Sequence, residues 1–175
     1  LFLLAAPLQA QTVLVPAGSS WKYLDNGTNQ GTAWRAPAFA DSAWKSGAAQ
    51  LGYGDGDEAT VIGYGPNSAS KYTTSYFRRS FQVADRTKFT SLRLNLLRDD
   101  GAVVYLNGVE LTRSNMPTGA RASTAISGSA ETTYYTYTVP ASLLLNGTNS
   151  IGVEIHQATA NSSDVRFDLE VLGQP

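Results

Sequence analysis

The segment LGYGDGDEAT (residues 51–60) carries three carboxylates on a glycine-rich stretch. Asp55 and Asp57 flank a glycine, and Glu58 follows directly. Calcium prefers such segments because it takes about six to eight oxygen ligands from carboxylates and main-chain carbonyls. The spacing does not match an EF-hand loop, since Ala59 stands where a third acid is needed. The sequence permits a structural calcium site here, and the alternative is a polar turn whose aspartates bond to nearby amides.

A second acidic pair, Asp99-Asp100, precedes a glycine in the stretch RDDGAVVYLNGVEL (residues 98–111). An aspartate in such a turn most often accepts hydrogen bonds from its own backbone, which predicts a sheet corner. Contact with calcium or with a ligand is the alternative, and a catalytic pair is the least favoured. The candidate metal ligands are therefore Asp55, Asp57, Asp99 and Asp100.

His156 is the only histidine and lies in the strand-like segment IGVEIHQ. The alternation of this segment places His156 on one face with Glu154, opposite the aliphatic residues. If the next strand pairs with it, Arg166 and Asp168 would join them in a charge cluster facing solvent. The sequence has neither a G-x-S-x-G elbow nor an H-E-x-x-H motif, so no nucleophile or zinc site accompanies the histidine. We expect His156 to have a structural or ligand-contacting role.

The elements that must position these residues are β-strands, because apolar residues alternate with a period of two. Aromatic and β-branched residues, which favour strands, fill two further segments. Asn107-Gly108 is the dipeptide of a tight hairpin turn. Only residues 41–44 and 141–147 favour short helical turns, the first with Asp41 as its N-cap. The predicted strands include residues 76–83, 92–96, 134–139, 151–155 and 165–171.

Eight or nine strands separated by turns predict an all-β fold, a β-sandwich of jelly-roll type. Residues 45–75 form a long glycine-rich connection, and a loop of that length is usually functional or anchored.

Four segments in order, FADSAW (39–44), YFRRSFQV (76–83), DDGAVVYLNGVEL (99–111) and LLLNGTNSIGVEIHQ (143–157), resemble the galactose-binding-domain-like jelly roll. The sugar-binding domain of family 2 glycoside hydrolases is one example, and accessory modules of secreted bacterial multidomain proteins look closer still. The resemblance spans about residues 20–172 and implies a non-catalytic accessory module. It does not imply a particular ligand, because fold does not determine function.

The candidate ligand-binding residues combine aromatic faces with polar groups, as a sugar requires. Trp34 lies in a polar run and is predicted to be exposed, while Tyr53 and Tyr64 belong to the long loop. Ser163 and Asp164 precede the last strand. With His156, these residues complete the candidate set.

Composition excludes several classes of partner and site. The 175 residues carry 13 Lys and Arg against 14 Asp and Glu, so no basic excess favours nucleic acid. Without cysteine, the chain has no disulfide, thiolate metal site or cysteine nucleophile.

The first ten residues, LFLLAAPLQA, resemble the end of a secretory signal peptide whose charged start is missing. The alternative is a buried N-terminal strand, and ten apolar residues are too few to span a bilayer. We therefore expect a secreted, periplasmic or cell-surface bacterial protein with no membrane span.

Together these observations predict one jelly-roll domain over residues 11–175, with residues 1–10 as a truncated signal peptide. The predicted function is non-catalytic binding of carbohydrate or a surface polymer, within a chain that carries neighbouring domains. A spacer that orients a neighbouring enzyme without binding sugar is the alternative, and a stand-alone hydrolase is less favoured. Calcium is the only cofactor expected.

Overall fold

The computed structural model describes residues 10–118 and 133–175. Most of the predicted signal peptide, residues 1–9, therefore lies outside the described residues. The strands within the described ranges are β1 (Thr12–Val15), β2 (Ser20–Leu24), β3 (Lys45–Ala48), β4 (Leu51–Tyr53), β5 (Thr60–Val61), β6 (Thr74–Val83), β7 (Ser91–Asp99), β8 (Gly101–Leu106), β9 (Val109–Ser114), β10 (Tyr134–Pro140), β11 (Gly147–His156) and β12 (Val165–Gln174).

The strands form two six-stranded sheets, which confirms the predicted all-β sandwich. The first sheet has the order β10-β7-β12-β4-β5, with β1 also beside β12, and the second has the order β3-β2-β6-β11-β8-β9. All pairs are antiparallel except β4 with β5. The alternation read from the sequence corresponds to the two faces of each strand, with the apolar face inward.

The main core lies between the sheets. Leu94, Leu96, Val153, Ile155 and Phe167 are almost completely buried there. Burial of such side chains is worth about 1.5–3 kcal/mol each, so this layer dominates the stability of the sandwich.

A second apolar cluster covers the outer face of the second sheet. It consists of Trp34, Trp44, Tyr76, Val103, Tyr105 and Met116, with Phe39 packed against it. The segment between β2 and β3 supplies both tryptophans and covers that face. As a result, only part of the second sheet's outer face meets solvent.

The long connection at 45–75 is not a single loop, because β3, β4 and β5 lie inside it. The predicted helical turns are smaller than expected. Residues 41–44 form one turn, closed by a 3.0 Å bond from Trp44 N to Asp41 O, and the Asp41 carboxylate binds Arg78. A 3₁₀ helix spans Ala141–Leu143, and Gly147 begins β11 instead of ending a helix.

The last two strands do not pair with each other, so the condition for the charge cluster is not met. β11 pairs with β6 and β8 in the second sheet, whereas β12 pairs with β7, β4 and β1 in the first. Glu154 and His156 therefore share no sheet face with Arg166 and Asp168.

The two ends of the described chain lie side by side in the first sheet, since Thr12 is opposite Gly173 in the β1–β12 pair. None of the helices in the described ranges has the length and hydropathy needed to cross a bilayer.

Candidate functional site

Segments far apart in sequence meet at one end of the sandwich, which we call the acidic rim. It consists of residues 53–58, Tyr64, Lys71, the corner at 99–101 and residues 157–166. Register explains the meeting, because Val165 at the start of β12 lies opposite Tyr53, and Arg166 lies opposite Asp99. The rim therefore draws on both sheets. It contains most of the acidic and polar residues that the sequence identified.

Asp100 holds the corner between β7 and β8 to the loop that joins β11 to β12. Its Oδ2 accepts hydrogen bonds from Ala158 N at 2.8 Å and from Ser162 Oγ at 3.5 Å. Its carbonyl accepts from Arg98 Nη1 at 2.6 Å and from Asn115 Nδ2 at 2.9 Å. Asp99 and Asp100 are both buried, so this corner has the contacts of a structural turn.

Asp55 and Asp57 both pair with Arg166. The Arg166 Nε donates to Asp55 Oδ2 at 2.5 Å, and Nη2 donates to Asp57 Oδ1 at 3.1 Å. Glu58 accepts hydrogen bonds from the Asp55 and Gly56 amides at 2.8 and 3.0 Å. The Asp55 amide hydrogen bond is the largest cause of a lowered Glu58 pKa. Each of these three carboxylates therefore already binds either the Arg166 guanidinium or backbone amides.

The Asp55, Asp57 and Glu58 carboxylates offer oxygens within 4.8 Å of one another, a spacing that suits a cation. Asp99 and Asp100 do not belong to this group, so the four predicted metal ligands do not form one site among the described residues. A calcium ion at the turn would have to compete with the Arg166 guanidinium. The donor set therefore fits an arginine-neutralised turn better than a calcium site.

Tyr53 was predicted to contact ligand but is only 5% exposed. Its hydroxyl accepts a hydrogen bond from Gln157 Nε2 at 2.8 Å, and the same amide donates to Asp164 O at 2.8 Å. Burial raises the pKa of Tyr53 to about 12. Tyr53 faces the core because it is opposite the inward residue Val165. Tyr53 therefore contributes to the rim as a buried residue that holds Gln157 in place.

Tyr64 is the exposed aromatic side chain of the rim, at 37% of its surface. Its ring packs edge-on against Tyr53, with centroids 5.1 Å apart, so the ring is fixed in orientation. The Lys71 ammonium lies 5.6 Å from the Tyr64 ring and donates to Ser162 O at 2.5 Å. Lys71 thus joins residues 60–75 to the loop before β12.

Ser163 is exposed beside the buried Asp164, and its hydroxyl donates to the Asp164 carboxylate. The backbone of Gly54 lies against both residues: a Cβ at position 54 would come within 2.7 Å of Asp164 Cβ. These contacts pack the end of β4 against the start of β12.

The prediction that Trp34 is exposed is wrong, because its side chain is fully buried. Its ring lies between Trp44, Tyr76 and Tyr105, with centroids 5.1–6.3 Å away. The burial of Trp34 was not predictable from its neighbours in sequence, because they are polar. Gly152, between Ile151 and Val153, was the available signal, since it leaves room for a large ring.

His156 also lies inside the protein, and the solvent-facing cluster that pairing of the last two strands would have given does not form. Its Nε2 is 3.0 Å from Glu154 Oε2, and its Nδ1 is 3.2 Å from Thr74 Oγ1. Arg35 completes the network through a 3.1 Å bond to Glu154 Oε1. Burial alone would raise the Glu154 pKa, but the contacts with His156 and Arg35 lower it. The network joins the covering segment to β11.

Sequence reasoning did not identify Arg166, Lys71 and Gln157 as rim residues. Arg166 stood in the alternating pattern of the last strand, where the pattern indicates a face but not a partner. Lys71 and Gln157 carried no local signal, because their partners depend on the folding of distant loops.

Comparison with known proteins shows similarity at the level of fold. No family model matches the sequence, and no curated protein matches it. Among solved structures, the Bacteroides uniformis β-glucuronidase superposes with a TM-score of 0.61 and 17% identity, over 95% of this chain and 18% of that one. The Bifidobacterium dentium β-glucuronidase, complexed with coumarin-3-O-glucuronide, gives 0.55 and 18% identity, over 83% of this chain and 20% of that one.

A β-glucuronidase from glycoside hydrolase family 2 gives a TM-score of 0.60 and 14% identity, over 99% of this chain and 18% of that one. These similarities confirm the fold that the family 2 resemblance implied. This chain spans about a fifth of the length of each of these three enzymes.

Proposed function

We propose that this protein is a non-catalytic carbohydrate-binding module, and that it binds a neutral saccharide at the acidic rim. The observation that carries the proposal is the exposed face of Tyr64, held edge-on against Tyr53 with the Lys71 ammonium 5.6 Å from the ring. A sugar ring stacks its C–H face on an aromatic ring, and its hydroxyls form hydrogen bonds with nearby polar groups. Fixing the ring before binding lowers the entropic cost of ordering it.

The charge of the rim favours a neutral ligand. The described rim residues include two cations, Arg166 and Lys71, against six acids: Asp55, Asp57, Glu58, Asp99, Asp100 and Asp164. A uronic acid would bring another negative charge close to these carboxylates. The similar enzymes are named β-glucuronidases, and for this chain we infer a different sugar chemistry at the rim.

Fold similarity to parts of much longer glycoside hydrolases supports an accessory role. We infer that the module belongs to a longer, secreted bacterial protein and brings a neighbouring domain to carbohydrate or to a surface polymer. His156 and its partners are buried in a structural network, which supports the absence of a catalytic role.

A spacer domain without sugar binding is the second candidate. It is favoured by the pairing inside the rim, where Arg166 and two backbone amides already occupy carboxylate oxygens. Spacer and binding module differ in one measurable property, which is affinity for a glycan.

A glycan array carrying neutral and uronic-acid oligosaccharides tests the proposal. We expect neutral glycans to bind, and Tyr64→Ala to weaken binding at least tenfold, about 1.4 kcal/mol, while the variant remains folded. Tyr64→Phe is the matched control, because it keeps the ring, and it should bind like the parent. A blank array would support the spacer. Turnover of glycosides that is lost in His156→Ala would contradict the non-catalytic role.

A further inference from the structure

The outer face of the first sheet carries an ordered row of polar side chains on three adjacent strands. β10, β7 and β12 lie in register there, so that Tyr134, Leu97 and Asp168 form one row. The next row, two residues along, is Thr136, Asn95 and Glu170, and Arg93 follows on β7. We call Tyr134, Thr136, Asn95, Arg93 and Glu170 the polar ladder.

The side chains of the polar ladder are fixed by one another. Thr136 Oγ1 donates to Asn95 Oδ1 at 2.9 Å, and Asn95 Nδ2 donates to Glu170 Oε2 at 2.6 Å. Arg93 Nε donates to the same Asn95 oxygen at 3.3 Å. These cross-strand contacts hold the side chains in one arrangement.

Tyr134 supplies an exposed aromatic ring at the end of this row. The side chain is 44% exposed, and its hydroxyl donates to Asp168 Oδ2 at 2.9 Å. Asp168 is itself held by the Gly18 amide at 2.9 Å. The ring is therefore anchored at its polar end while part of it faces solvent.

Several hydrogen-bonding groups of the polar ladder remain available to a ligand. Within residues 10–118 and 133–175, the terminal nitrogens of Arg93 and Oε1 of Glu170 have no hydrogen-bond partner. Both residues are partly exposed, and their charges are of opposite sign. A group of donors and acceptors with no net charge suits a neutral polyhydroxyl ligand better than an ion.

The dimensions fit an extended chain. Alternate residues on a strand are about 7 Å apart, so the rows from Tyr134 to Arg93 extend over about 14 Å, the length of two or three sugar units. The outer face of the second sheet, by contrast, is covered around Trp34 by the segment between β2 and β3.

From this geometry we infer a second binding surface, the polar ladder, for an extended neutral oligosaccharide. Tyr134 would stack on one sugar unit, while Arg93 and Glu170 bind hydroxyls of the next. This inference rests on the proposed ligand class, but it does not depend on the rim site.

Calorimetric titration with neutral cello-, xylo- and manno-oligosaccharides tests the inference, comparing disaccharides with hexasaccharides. We expect the Tyr134→Ala/Glu170→Gln variant to lose at least tenfold in affinity for the hexasaccharide that binds the wild type. Its affinity for the disaccharide should fall as well, because Tyr134 and Glu170 would contact neighbouring sugar units. Thr148→Ala is the matched control, since Thr148 lies exposed on β11 in the second sheet, away from the polar ladder.

The outcomes separate the two sites. Hexasaccharide binding that is equal in the double variant and the wild type would overturn the polar ladder and leave the rim proposal intact. Loss in the double variant with no loss in Tyr64→Ala would support the polar ladder and overturn the rim. If none of these saccharides binds the folded wild type, both proposals fail.

Discussion

Trp34 lies directly over Gly152, so closely that a Cβ added to the glycine would come within 2.8 Å of Cζ3 of the indole. The contact joins the covering segment to the middle of β11. Because the tryptophan is enclosed by other aromatic rings, it has little room to move away.

We therefore expect Gly152→Ala to lower the free energy of unfolding by about 1–3 kcal/mol, the usual cost of overpacking a filled core. Denaturant unfolding of the variant measures this cost. In a Trp34→Phe background, which lacks the contacting atoms, the same substitution should cost clearly less, and equal costs in both backgrounds would contradict the contact.

Asp100→Ala should lower the free energy of unfolding by about 1–3 kcal/mol, because it removes the acceptor of the Ala158 amide. Hydrogen exchange at that amide should accelerate at the same time. Asp57→Ala is the control: its pair with Arg166 is exposed, and such pairs contribute at most about 1 kcal/mol. Equal stability of the two variants would show that the corner does not depend on Asp100.

The stability of the protein should fall as the pH rises from about 10 to about 12. Burial raises the Tyr53 pKa to about 12 from its ordinary 10.0, so the folded state keeps a proton that the unfolded chain has already lost. This single group accounts for about 2–3 kcal/mol across that range.

Tyr53→Phe should flatten this alkaline loss, as measured by denaturant unfolding at several pH values. Some slope should persist, because burial also raises the pKa of Tyr105 and Tyr134. An unchanged slope in Tyr53→Phe would contradict the assignment to Tyr53.

Arg166→Met should make the turn at residues 55–58 more responsive to calcium. Removing the guanidinium leaves Asp55, Asp57 and Glu58 close together with no cation between them. Calcium should then raise the melting temperature of the variant much more than that of the wild type, and adding Asp55→Ala should reverse the gain. Strong stabilisation of the wild type itself would show that calcium competes successfully with Arg166.

The strands and the Asn-Gly hairpin were predictable because their signals are local. Period-two alternation located β7, β11 and β12, and Asn107-Gly108 closes the β8–β9 hairpin with both residues at positive φ, 51° and 89°. The sandwich itself followed from the number of such segments.

The exposure of particular side chains was not predictable in the same way. Alternation assigns His156 and Glu154 to one face of β11, but only the folded chain shows that another segment covers that face. Trp34 was misjudged for the same reason, since a polar neighbourhood in sequence does not determine what lies above a residue in space. Pairing between distant strands also decided that Tyr53 faces inward.

The adjacency of Thr12 and Gly173 bears on how the sandwich can be connected to other domains. Segments attached before β1 and after β12 emerge side by side, about 30 Å from the acidic rim, because ten residues of β12 separate the two ends. The sandwich can therefore be inserted into a surface loop of another domain without stretching that loop. If force were applied to both attachments, the β1–β12 hydrogen bonds would open in succession from one end, so β1 would detach long before the rim was disturbed.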